Sequence, residues 1–274
     1  MDPRPIGVFD SGIGGLTVVR ELFEQLPHET VIYFGDTARV PYGTKSPSVI
    51  RRFGAQNTEF LLQYGVKLIV VACHTVSSIA LNDLKSQYNV SFIGVVEPGI
   101  QAALSTTQNH RIGVIGTRAT ILSEAYPKGI LAQRKESKVF SVACPLFVPL
   151  VEEGWIEGPI TESIARMYLD SLCRENIDTL ILGCTHYPLL KPVIQRVVGE
   201  EVTLIDSAKE TARRVKEYLV ENHLENDSLE KPTHQFFVSD IPGHFQKMAS
   251  LCLHSPIESV VQVDLDAMVH APKT

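Results

Sequence analysis

Short runs of Val, Ile and Leu, apolar on both faces, alternate along this chain with longer amphipathic stretches. IGVFD (6–10), VIYFG (31–35), LIVVA (68–72), SFIGVV (91–96), RIGVIG (111–116), VFSVA (139–143), TLILG (179–183) and VTLID (202–206) read as strands. Helical patterns at about 15–27, 46–64, from 75, 119–132, 158–174, 188–198 and 207–222 lie between or after them. A strand apolar on both faces must be covered on both faces. The pattern therefore predicts an α/β fold of mainly parallel sheets flanked by helices.

The order is also doubled. A glycine-rich strand exit, GVFDSGIGG, is followed by a cysteine-bearing one, VVACHT. GVIGTRAT and LILGCTHYP repeat that order in the second half. Two related α/β units facing one another would produce it. The 274 residues have room for two such units. A charged bridge, ENHLENDSLEKP (221–232), follows the second unit. After it, QFFVSD (235–240), a short helical stretch and SVVQVDLD (259–266) are expected to fold back onto the first unit, with the terminal VHAPKT loose.

Net charge is −6, so the basic footprint of a nucleic-acid binder is missing. Arg51–Arg52 and Arg213–Arg214 lie in helical patterns and read as solvated faces. No apolar run reaches the roughly 18 residues that a membrane span needs. The N-terminus MDPRPIGVFD lacks a signal-peptide pattern, and a cytoplasmic protein is expected. The cysteines, at 73, 144, 173, 184 and 252, are odd in number and widely spaced, which predicts reduced thiols.

In open parallel sheets ligands bind beyond the carboxyl ends of the strands. Asp10–Ser11, Asp36 with Tyr42–Gly43, Cys73–His74–Thr75 and Cys184–Thr185–His186 all fall there. The glycines of DSGIGG allow a tight strand-to-helix turn. A dinucleotide fingerprint would need a small residue where Thr17 stands, although Asp36 lies about where a ribose-binding acid would fall. Cys144, Cys173 and Cys252 read as small buried hydrophobes. Cys73 and Cys184 differ, because each ends an equivalent strand beside a threonine and a histidine. Cys73, His74, Cys184 and His186 have zinc-compatible chemistry, but no CxxC or HxxxH spacing is present. A Cys–His hydrolase would leave one cysteine unexplained.

Two cysteines across a cleft fit the inversion of a stereocentre. One thiolate removes a proton from one face of a carbon, and a thiol returns one to the other face. A free thiol is only a few per cent ionised at neutral pH. Helix N-termini and the neighbouring histidines are expected to raise that fraction. Asp10 and Glu152 are candidates to assist the transfers or to hold a substrate ammonium.

At these residues the chain resembles the glutamate racemases of the aspartate/glutamate racemase superfamily. The matching stretches are GVFDSGIGGLTV (7–18), YFGDTARVPYG (33–43), VVACHTVSS (70–78), CPLFVPLVEEG (144–154) and LILGCTHYPLL (180–190), with FFVSDIPGHF (236–245) near the end. The resemblance implies a cofactor-independent, metal-free enzyme that interconverts L- and D-glutamate for peptidoglycan synthesis. It implies two pseudo-two-fold related α/β domains, 1–97 plus 208–274 and 98–207, with the active site in the cleft between them. Cys73 and Cys184 are implied as the acid–base pair, acting on D- and L-glutamate respectively. Asp10 and His186 are implied as their assistants. Ser11, Tyr42, Gly43, His74, Thr75, Thr117, Thr120 and Thr185 are implied as substrate contacts, and Asp36 and Glu152 as acidic residues near the site.

One position departs from the family. His74 stands where the resemblance predicts asparagine, and a histidine is larger and can carry charge near neutral pH. Retained glutamate racemisation is the expectation; altered pH dependence or substrate choice is the alternative. A homodimer is implied, and the requirement for an activator is left open. Other readings are a racemase of aspartate or another amino acid, a regulatory protein that contacts DNA gyrase without binding DNA directly, and a nicotinamide-dependent oxidoreductase.

Overall fold

A computed structural model describes residues 2–228, 230–253, 257 and 259–265. The chain begins β1 (Ile6–Asp10), α1 (Leu16–Gln25), β2 (Val31–Gly35), α2 (Pro47–Leu62), β3 (Leu68–Val71), α3 (His74–Ile79), α4 (Leu81–Gln87), β4 (Ser91–Gly94) and α5 (Val96–Thr106). It continues β5 (Arg111–Gly116), α6 (Arg118–Ser123), α7 (Ala125–Gln133), β6 (Lys138–Ala143), α8 (Phe147–Glu152), α9 (Pro159–Cys173), β7 (Thr179–Gly183), α10 (Lys191–Val198) and β8 (Thr203–Ile205). It closes with α11 (Ser207–Glu221), β9 (Gln235–Val238), α12 (Pro242–Leu253) and β10 (Val261–Gln262).

Among the described residues the strands form two sheets, ordered β10-β9-β2-β1-β3-β4 and β6-β5-β7-β8. Every pairing among these strands is parallel. Without β9 and β10 the first sheet reads β2-β1-β3-β4. The second repeats that order strand for strand, so the doubling seen in the sequence is a doubling of topology. β3 and β7, which precede the two cysteines, are equivalent strands. The returning C-terminal segment adds β9 to the free edge of β2, in register Ile32↔Gln235 to Gly35↔Val238.

Alternation explains why the strands are apolar throughout. On β3, Leu68 and Val70 enter one core cluster while Ile69 and Val71 enter another across the sheet. On β7, Leu180 and Leu182 face one side and Ile181 the other. Each such fully buried side chain contributes about 1.5–3 kcal/mol relative to exposure. The helices have identifiable starts. Ser46 caps α2 ahead of Pro47, Thr117 caps α6, and Asp206 caps α11 by accepting from the Ala208 N–H at 3.0 Å.

Several elements differ from the sequence reading. The helix expected from 75 is broken at Ala80, and the one expected over 119–132 is broken by Glu124 in the left-handed region. α5 and α8 were not anticipated. In α5, Pro98 and Gly99 mask the pattern, but Pro98 sits in the first turn, where a missing N–H costs nothing. The strand expected at 259–266 is reduced to Val261–Gln262 among the described residues. The expectation for VHAPKT lies outside the described residues. Cys144 and Cys252 are buried as expected, but Cys173, at the last position of α9, is exposed. A helix end facing solvent, rather than a core face, decides that position.

Candidate active site

Both cysteines lie just past the carboxyl ends of their strands and line the same narrow cavity, with a volume of about 20 Å3. The lining comprises Ser11, Val40–Gly43, Cys73–Thr75, Thr117, Val148 and Cys184–His186. Residues from both sheets therefore meet in one enclosure. Of the residues predicted from sequence, Asp10, Thr120 and Glu152 stand behind the lining and bond to residues that form it.

Cross-sheet contacts close the enclosure. The Thr75 hydroxyl lies 2.9 Å from that of Thr117 and 3.3 Å from that of Thr120, and those two are 3.0 Å apart. Gly43 lies so close to Thr117 that an added Cβ would meet the Thr117 Cβ at 2.3 Å. Gly14 presses on Thr185 and His186 in the same way, with their nearest atoms at 2.4 and 2.6 Å. The second and third glycines of DSGIGG thus serve close packing rather than phosphate binding: Gly15 approaches Asp10 and Tyr33.

At Cys73, Asp10 is fully buried at the end of β1. Its Oδ2 accepts from the Gly15 N–H at 2.9 Å and the Thr185 hydroxyl at 3.4 Å, while Oδ1 has no hydrogen-bond partner. Cys73 precedes α3 as its N-cap. The expected lowering of its pKa by the helix end does not prevail. Burial, with the charge of Asp10, pushes the thiol well above its ordinary range, against opposing contacts from the Val76 N–H and Ser11.

At Cys184 the neighbour is a histidine. His186 Nδ1 lies 3.8 Å from the sulfur, and its Nε2 lies 2.6 Å from Glu152 Oε1. Burial disfavours the charged ring, but hydrogen bonds and charge from Cys184 and Glu152 outweigh it and raise the His186 pKa well above the ordinary value. The thiol–imidazole–carboxylate row can move a proton to or from the sulfur, with Glu152 holding the ring.

His74 does not behave as its position beside Cys73 suggested. Its Nε2 lies 3.2 Å from the Ser207 hydroxyl, and its ring stacks on Tyr126 at 6.4 Å between centroids. Burial pushes its pKa down to about 3, with the charge of Asp206 opposing. The expectation of a histidine charged near neutral pH is corrected: desolvation keeps this ring neutral. Ser207 and Tyr126 were not singled out from sequence. Both come from segments remote from Cys73, and no local motif marks them.

Asp36 also lies outside the lining. Its carboxylate accepts from the Tyr42 hydroxyl, from Arg39 Nε at 2.6 Å and from the Ser239 hydroxyl at 2.9 Å. It props the loop that carries Tyr42 and Gly43, so it is not free to hold a ribose. Among the described residues no three His, Cys, Asp or Glu side chains gather as a metal-holding group. No helix among them is long and apolar enough to cross a membrane.

The family model for Asp/Glu/Hydantoin racemase matches residues 6–215. The chain belongs to that family. A curated glutamate racemase from Geobacter metallireducens is 49% identical over 264 residues, 96% of this chain and 98% of the relative. The fold is similar to a glutamate racemase from Francisella tularensis in complex with D-glutamate, with a TM-score of 0.91, 41% identity and coverage of 97% of this chain and all of the other. It is likewise similar to the RacE1 isoform from Bacillus anthracis, with a TM-score of 0.93, 41% identity and coverage of 97% and 99%. The protein is an amino-acid racemase.

Proposed function

We propose that this racemase interconverts L- and D-glutamate without a cofactor, using Cys73 and Cys184 on opposite faces of the α-carbon. The observation that carries the reading is that two cysteines at equivalent strand ends line one cavity. The relatives named as glutamate racemases at 41–49% identity support glutamate as the substrate.

In one direction the Cys184 thiolate takes the α-proton of L-glutamate. The C–H electron pair remains on a planar carbanion, and the Cys73 thiol delivers its proton to the opposite face. D-glutamate leaves, with Cys184 now the thiol and Cys73 the thiolate. The reverse direction starts from that state. The unpartnered Asp10 Oδ1 is suited to the substrate ammonium, which would also offset the charge that burdens the Cys73 thiolate. Ser11 attends Cys73, and His186 with Glu152 attends Cys184. The Thr75, Thr117 and Thr185 hydroxyls and the Tyr42–Gly43 segment are suited to the carboxylates, with Thr120 behind them.

The domains in this reading are 1–97 plus 208–274 and 98–207. Their support is that the first sheet draws on residues 6–94 and 235–262 and the second on 111–205. D-glutamate for peptidoglycan, a cytoplasmic location and a homodimer belong to the same proposal.

Proton NMR of glutamate in D2O, starting from each enantiomer separately, tests it. The expected result is loss of the α-proton signal from both, ending in equal amounts of L and D. Exchange from one enantiomer without inversion would sink the two-base mechanism. No exchange from glutamate, with exchange from aspartate, would move the substrate.

A further inference from the structure

His74 is the residue at which this chain departs from the pattern it otherwise resembles, and its surroundings are specific. The side chain is 5% exposed and lines the cavity between the cysteines. Nε2 is engaged by Ser207 at 3.2 Å, while Nδ1 is buried without a partner. A buried, unpartnered ring nitrogen costs free energy until something supplies its partner. Beside a ligand cavity, the ligand is the natural supplier.

Which partner it needs depends on the tautomer. A neutral imidazole has one N–H and one lone pair, and the bond made at one nitrogen decides what the other offers. Ser207 Oγ stands at the first position of α11, where it meets His74 Nε2. A carboxylate can be served only by an N–H, so in a site for a dicarboxylic amino acid Nδ1 carries the proton. The bare Nε2 then accepts from the Ser207 hydroxyl, which can donate. The stacking of Tyr126 on the His74 ring holds the ring in place.

We propose that Ser207 is a positioning residue: it donates to His74 Nε2, fixes the tautomer protonated on Nδ1, and so presents an N–H to a carboxylate of the substrate. The claim rests on the reading of the cavity as a site for a dicarboxylic amino acid. Ser207 does not touch that substrate. It acts through the ring, from the start of the helix that follows the second sheet. A neutral N–H donor suits a carboxylate there without placing a second cation in a cavity that His186 already serves.

The test begins with the free enzyme. In protein labelled with 15N-histidine, the His74 resonances are assigned by their absence in His74→Asn. Long-range proton–nitrogen correlations should show Nδ1 protonated and Nε2 bare. The opposite tautomer would overturn the proposal, and this result does not depend on turnover or on the substrate being glutamate. Next, Ser207→Ala should raise the glutamate KM about tenfold, the effect of losing one hydrogen bond to a charged acceptor, while kcat changes by less than about twofold. It should also redistribute the tautomers. Ser207→Thr, which keeps the hydroxyl, should restore both. An unchanged KM in Ser207→Ala, in protein with the wild-type melting temperature, would refute the positioning role. If wild-type enzyme exchanges no α-proton from glutamate, the substrate reading fails while the tautomer assignment stands on its own measurement.

Discussion

Cys73 and Cys184 occupy the same place in two sheets of the same strand order, yet their surroundings have opposite character. Cys73 sits beside the fully buried carboxylate of Asp10, and that charge together with burial keeps it a thiol. Cys184 sits beside an imidazole whose pKa is raised by the sulfur and by Glu152. Repeated topology sets two sulfurs facing one cavity; the side chains packed beside each decide how it handles its proton. The difference teaches that a reaction symmetric in its chemistry need not be run by symmetric machinery.

Removing either sulfur should have the largest effect. Cys73→Ser and Cys184→Ser are each expected to slow racemisation by at least about 10^3, within the range attributed to a positioned acid or base, as followed by circular dichroism of glutamate. Retention of more than a tenth of the activity in either would break the comparison at its root.

The assistants come next. His186→Asn and Asp10→Asn should each cost about ten- to a hundredfold. Because enantiomers have equal free energies, kcat/KM must stay equal in the two directions whatever the mutation. The asymmetry therefore has to be sought in isotope effects. His186→Asn should enlarge the α-deuterium effect when L-glutamate is the substrate, and Asp10→Asn when D-glutamate is. The same response in both variants would mean that the assistants are not each assigned to one cysteine.

Gly43→Ala tests the closed cavity. Its Cβ cannot coexist with Thr117 at the present spacing, so the two halves must separate slightly. A cost of about 1–3 kcal/mol in stability and about tenfold in kcat is expected, by chemical denaturation and steady-state kinetics.

A smaller effect concerns pH. The folded His186 pKa is raised, so its pairing stabilises the fold fully below the ordinary histidine value of about 6.5, and that contribution is lost as pH rises through the folded value. The stability deficit of Glu152→Gln should therefore be larger near pH 6 than near pH 9. For His74 almost nothing should happen: a ring with its pKa down at about 3 does not titrate where the enzyme works. His74→Asn should leave the shape of the pH–rate profile unchanged, and a moved limb would contradict the buried, neutral ring.

Much of this was legible in the residues. Two-sided apolar strands announced covered parallel sheets, and the repeated cysteine-bearing strand ends announced facing sites. What could not be read were relations across long separations. Ser207 meets His74 over 133 positions, and a one-dimensional pattern carries no sign of it. Gly14 and Gly43 were visible as glycines, but the side chains of the opposite half that demand them were not. The depth of His74 was likewise hidden, and with it the loss of the charge expected there. α8 was missed because Phe147–Glu152, with Pro149 in its middle, is too short for a helical period to show.

The return of the chain to its first sheet has a consequence for synthesis. Residues 111–205 supply every strand of the second sheet, so that sheet can complete itself while the ribosome is still working. The first sheet cannot: the edge of β2 made at residues 31–35 stays bare until residues 235–238 emerge some two hundred positions later. Until then the nascent protein carries an open strand edge, the kind of surface that pairs with the wrong neighbour. A strand made late thus seals an edge made early.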